Sequence, residues 1–146
     1  MPTQTVIDDE FVTLVYHHEA GIVHHTFHRF VSGDHFRNTL QQGCELLRQN
    51  HGTKWLSDDR GNSALTPSDS LWGDTVWAPA VMAAGWKYWA IILPDQHVAQ
   101  IHLKQWVERY RGRGIDVRLF NDQESALEWL ATVEATDFGA NEEPAD

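Results

Sequence analysis

The sequence predicts a single α/β domain on a mixed, five-stranded sheet, and three observations carry the prediction. Two short runs rich in Val, Tyr, Phe and Thr flank a glycine-containing turn near the start. After them the hydrophobic rhythm alternates between helical and extended. The 146 residues, 42% of them hydrophobic, suit one core rather than two.

Phe11 to His18 and Ile22 to Phe30 read as strands, joined through Glu19, Ala20 and Gly21 as an antiparallel hairpin. A two-residue turn at Ala20 and Gly21 puts Val12, Leu14 and Tyr16 on one face with Val23 and Phe27. Thr13, Val15 and His17 then share the wetter face with His24, Thr26 and His28. From Gly33 to Asn50 the period becomes helical, with Phe36, Leu40, Gly43, Cys44 and Leu47 on one stripe and Gly52 as the expected C-cap. Thr53 to Ser57 is a short strand leading into Asp58, Asp59, Arg60 and a turn at Gly61, Asn62 and Ser63.

Thr66, Pro67 and Asp69 mark the start of a second helix: an N-cap, a proline at the first helical position, and a carboxylate placed for a reciprocal cap. Leu71, Trp72, Val76, Ala80 and Ala83 recur at helical spacing toward Gly85, and Pro79 removes a backbone donor that should kink or reset the last turns. Trp86 to Leu93 is an almost unbroken apolar run, the pattern of a parallel strand covered on both faces. A helix from Asp95 to Arg111, a strand from Ile115 to Phe120, and a capping box at Asn121 to Glu124 opening a last helix complete the order β-β-α-β-α-β-α-β-α. Residues 1–10 are then an N-terminal extension, 11–134 the domain, and 135–146 an acidic, flexible tail.

A formal charge of -10 argues against nucleic acid or an anionic membrane as the main partner, because both call for a basic surface. The one cysteine, Cys44, excludes an internal disulfide and fits a reducing compartment. No stretch is apolar enough for membrane insertion and the first residues lack a signal-peptide pattern, so a soluble, cytoplasmic protein is expected.

Lys54 to Arg60, the Pro67 helix with Trp77 and Pro79, Ala84 to Pro94, and Ala126 to Leu130 together resemble small bacterial proteins of the SpoIIAA-like superfamily, related to STAS and CRAL-TRIO domains. The resemblance spans roughly Phe11 to Val133. It implies a SpoIIAA-like sheet and one of two roles: a STAS-like module that docks a protein partner, or a carrier of an apolar or lipid ligand. STAS domains include members switched by phosphorylation of a serine after a parallel strand. This chain departs from that motif, because its acidic pair is followed by Arg60, and Ser57, Ser63 and Ser68 are candidates by position alone.

Asp58, Asp59 and Arg60 leave the C-terminal end of a parallel strand, where open α/β sheets bind ligands; with Trp55 and Trp89 they form the candidate ligand site. Two carboxylates suit a divalent cation and an arginine clamps an anion, but an ion-paired tight turn explains the same residues. His17 and His24 are weak metal candidates across the hairpin. His28 lies about 13 Å from His24 along the strand, too far for a shared ion. Trp72, Trp77, Trp86, Trp89, Trp106 and Trp129 either pack the core or line an interface. With no nucleophile motif, phosphate loop or zinc spacing, no cofactor is expected. The leading expectation is a non-enzymatic, STAS-like module docking a protein or a second copy of itself as a homodimer. The alternatives are a carrier of a small apolar ligand and, behind it, an enzyme using Asp58, Asp59 and Arg60.

Overall fold

The computed structural model describes residues 3–62, 65–94 and 97–142. Its elements run β1 (Thr3–Asp8), β2 (Val12–His17), β3 (Ile22–Phe27), α1 (Gly33–Gln49), β4 (Lys54–Asp58), α2 (Pro67–Trp72), a π-helical turn (Gly73–Trp77), α3 (Ala78–Ala83), β5 (Tyr88–Ile92), α4 (His97–Arg111), β6 (Asp116–Phe120) and α5 (Gln123–Glu142). The sheet is mixed, as expected, but it has six strands in sequential order. β1, β2 and β3 pair antiparallel, and β3 to β6 pair parallel.

The sixth strand is β1, inside the stretch expected to be an extension. Its Thr, Val and Ile residues have strand propensity, but as an edge it is exposed at Thr3, Gln4 and Thr5, so it lacks the burial pattern that reveals inner strands. The hairpin turn also differs. His17 pairs with Ile22, leaving four residues between them, and Gly21 takes the left-handed conformation at φ 74° while its N–H bonds to the His17 carbonyl. The two faces nonetheless come out as expected, because the two extra turn residues, His18 and Glu19, both come from the β2 side and shift the register by two, which preserves the parity of the pleat.

Sequential parallel strands with crossovers of one hand put α1, α2–α3 and α4 on the same face. Val12, Leu14, Val23, Phe27, Trp55, Trp89, Ile91 and Val117 meet them there in the larger core. On the opposite face α5 packs Ala126, Leu130 and Val133 against Ile22, Leu56, Tyr88, Ala90 and Ile92. β5 is consequently buried at every position, as its unbroken apolar run predicts.

In the larger core the aromatic rings form a chain: Trp55 to Trp77 at 5.2 Å between centroids, Trp77 to Trp86 at 5.1 Å, Trp86 to Trp89 at 5.1 Å, and Trp89 to Tyr110 at 5.2 Å. Tilted and edge-on contacts of this kind add to the gain from burying large rings. Trp72, Trp106 and Trp129 are only partly buried. Arg37 lies over Trp72 and Arg118 over Trp129.

Helix ends show where local signals held and where they shifted. Thr66 caps α2 by accepting from the Asp69 N–H at 3.1 Å. The Asp69 carboxylate, expected to reciprocate, instead binds the Gly33 N–H at 2.9 Å and Arg37 Nε at 3.1 Å, tying α2 to the start of α1. At the end of α1 the left-handed residue is His51, with φ 53°, and Gly52 closes the turn through its N–H to the Leu47 carbonyl. α5 is capped by Asp122 rather than Asn121, the Ser125 N–H reaching Asp122 Oδ1 at 2.7 Å. Its backbone stays helical to Glu142, through residues read as tail; 143–146 lie outside the described residues.

The largest departure is in the second crossover. Pro79 does reset the helix, and the widened turn at Gly73–Trp77 takes up the change. The expected buried stripe fails: Leu71 is 64% and Val76 53% exposed, Ala80 and Ala83 are exposed and Trp72 is only partly buried, while Trp77, Ala78 and Val81 face the core.

Candidate functional site

Strand alternation at the end of β4 sends consecutive side chains to opposite faces. Ser57 points into the tryptophan-rich core and accepts a hydrogen bond from Trp89 Nε1 at 2.8 Å. Asp58 points to the other face and is buried, yet it remains the better acceptor for Arg60, whose Nε and Nη2 reach its two oxygens at 2.9 and 2.8 Å. Burial alone would raise the Asp58 pKa. The hydrogen bonds and positive charge of Arg60 outweigh it and hold the carboxyl below its usual value.

Asp59, the next residue, turns back toward the helical face and its Oδ1 meets His25 Nε2 at 2.8 Å. His25 is buried, and its Nδ1 lies 3.0 Å from Trp55 Nε1. Indole nitrogen only donates, so Nδ1 must carry the lone pair and Nε2 the proton. The result is a directed chain, Trp55 to His25 to Asp59, that fixes one tautomer and locks the loop after β4 to the middle strand. Gly61 completes the lock: a Cβ there would overlap the Phe27 and His28 carbonyls.

The candidate residues therefore lie close in space but not around a common point. Asp58 and Asp59 diverge to opposite faces, each engaged by its own partner, and Trp55 and Trp89 are buried with both indole N–H groups bonded inside the protein. His17 and His24 do come together, Nε2 to Nδ1 at 3.0 Å, bonded to one another. Thr26 Oγ1 lies 3.4 Å from the other nitrogen of His24. Burial lowers the His24 pKa to about 4, with the neighbouring His17 and His25 adding to the effect. Among the described residues no three His, Cys, Asp or Glu side chains gather as metal ligands.

Compared with known proteins, the chain matches no family model, no curated protein and no solved structure. What it does must be argued from its own surface.

Two surface features stand out. α5 packs over β4, β5 and β6 and meets β3 at Ile22, near that strand's start. On that side of the sheet Thr3 and Thr5 of β1 are exposed, and Thr13, Val15, His17 and Thr26 are partly so. Charged side chains lie at the margins of this area: Asp8 at the end of β1, Lys54 beside Ile22, and Asp58 with Arg60 beside Thr26. On the opposite side a cavity of about 220 Å³ runs between β1 and α1, lined by Gln4, Val6, Gln42, Glu45, Leu46 and Gln49.

The sequence reading did not find β1, nor Asp74 in the π-helical turn. Asp74 accepts from Tyr110 Oη at 2.9 Å, from Trp106 Nε1 at 3.4 Å and from Arg109, pinning α4 to the second crossover. No helical periodicity marks a residue turned inward by a widened turn. β1 did carry a signal, its run of Thr, Thr, Val and Ile. No described helix is long and apolar enough to cross a membrane.

Proposed function

We propose that this chain is a non-enzymatic, STAS-like binding module of the SpoIIAA-like type that docks a protein partner in the cytoplasm. The observation that carries the reading is the half-covered sheet: α5 shields β4 to β6, while the β1–β3 side offers threonines, Val15 and the partly exposed His17 to solvent. On a chain of formal charge -10, a patch free of charged side chains over most of its width has the make-up of an interface centre. The strand-end residues support the same reading, since Asp58, Asp59 and Arg60 are occupied in holding loops rather than converging on a reactant.

The test is affinity purification of the tagged chain from the cells that make it, with cross-links mapped by mass spectrometry. A partner, or a second copy, that is retained by the parent protein and lost by Val15→Arg without loss of fold is the expected result. Retention unchanged by that substitution, with cross-links clustered around Asp58 to Asn62, contradicts it.

A second reading, carriage of a small apolar ligand, has one observation in its favour. Trp86 Nε1 is buried among Trp77, Trp89 and Tyr110 without a hydrogen-bond partner among the described residues. A buried donor left unsatisfied costs free energy that a ligand acceptor would recover. Native mass spectrometry of gently purified protein tests this by the presence or absence of a retained small molecule.

A further inference from the structure

We infer that the partner segment is an extended, basic peptide that adds to the sheet along β1, with a lysine or arginine side chain seated in the cavity between β1 and α1. The inference deepens the docking reading and rests on it.

β1 is the last strand on its side, and no described strand lies along its outer edge. Edges of this kind are normally blunted by short length, lysine, proline, a bulge or an inward-pointing charge. Over Thr3 to Ile7, β1 has no lysine, proline or charge; its one device is the bulge between Thr5 and Ile7, which leaves Thr3, Gln4 and Thr5 in regular register before it. An unpaired row of backbone donors and acceptors is the template used in strand addition, where main-chain hydrogen bonds give affinity and pockets for alternate side chains give specificity.

The cavity supplies one such pocket. Gln4 and Val6 line it from the strand, and Gln42, Glu45, Leu46 and Gln49 from the helix. Its exposed lining is mostly apolar, with Val6, Leu46 and the glutamine stems, and the Glu45 carboxylate among its lining groups. A side chain with an apolar stem and a donor-rich head, lysine or arginine, satisfies both. Glu45 is engaged at the surface by Arg48 and Gln49, partners that exchange at little cost for a peptide cation. Asp8 adds an exposed carboxylate at the end of the strand, while beyond it Asp9 and Glu10 are engaged by His35 and Arg29. That same charge disfavours a second copy as occupant, because each chain carries -10.

The test uses a phage-displayed library of random peptides about nine residues long, enough to span a strand. Enriched peptides are measured by fluorescence anisotropy and located by NMR shift changes on the intact chain. The expected result is a consensus with one Lys or Arg and no internal proline, with shift changes largest on β1 and α1 and extending to β2. Affinity should fall about tenfold or more on backbone N-methylation of the peptide and on Glu45→Lys in the protein. Val6→Lys, which fills the cavity from an edge position, provides a second variant should Glu45→Lys alter the fold. Peptides that bind the β1–β3 face around Val15 and His17 would overturn strand addition while leaving the docking module standing. No enriched peptide, together with no partner in the cross-linking experiment, would overturn both.

Discussion

His25 accepts a hydrogen bond from the indole of Trp55 and donates one to Asp59, at 3.0 and 2.8 Å, so that one buried imidazole joins the sheet interior to the loop after β4. Replacing it leaves a buried indole N–H and a partly buried carboxylate without their partner. His25→Leu is expected to lower stability by about 2–4 kcal/mol in urea unfolding. Asp59→Asn should cost less than Asp59→Ala, since the amide oxygen still accepts from Nε2. Equal stability of His25→Leu and the parent would remove the structural role assigned to this chain.

α1 lies against Trp55 because position 43 has no side chain. A Cβ at Gly43 would overlap the six-membered ring of Trp55, whose orientation is fixed by His25. Gly43→Ala should therefore destabilise by about 1–3 kcal/mol despite its better helix propensity. At the end of the same helix the sign reverses: His51 occupies the left-handed region at φ 53°, so His51→Gly should stabilise by up to about 1 kcal/mol. Thermal unfolding of the two variants reads both.

The π-helical turn inverts the hydrophobic stripe, and this too has a measurable consequence. Leu71 is exposed, so Leu71→Ser should fall within about 0.5 kcal/mol of the parent. Trp77 is buried and donates to the Leu40 carbonyl at 2.9 Å, so Trp77→Phe should cost about 1–3 kcal/mol. The opposite ranking would mean that the regular helical phase is the correct one.

His24 gives the fold a pH dependence. An unfolded histidine takes its proton near pH 6.5, whereas burial holds folded His24 neutral until about pH 4. Between these values the unfolded state binds more protons, so stability is complete above about pH 6.5 and falls as pH drops through about 4. The loss reaches about 3 kcal/mol. Asp58 and Asp69, both held below the usual carboxylate pKa of 3.8, lose their contribution only at lower pH. Chemical unfolding at stepped pH should show the upper slope in the parent and a reduced slope in His24→Gln.

Much of the architecture is legible in local pattern. Alternation in the hairpin assigns the two faces of β2 and β3, because parity survives an error in turn length. The unbroken apolar run marks β5 because a strand under two layers has no wet side. Features that depend on distant neighbours are not written locally. Strand parity separates His25 from His24, but nothing in the sequence near His25 announces Trp55, thirty positions further on. Adjacent Asp58 and Asp59 suggest a shared site until the pleat sends them apart. β1 was missed because an edge strand needs no hydrophobic stripe, and Asp74 because a π turn breaks the period by which inward positions are recognised.

Hydrogen exchange of the chain alone and with its captured partner tests the docking claim most directly. The account predicts added protection in Thr3–Asp8 and Val12–His17, with little change at the ends of β4 and β5. Protection confined to the loop from Asp59 to Asn62, or none anywhere on β1 and β2, would contradict it.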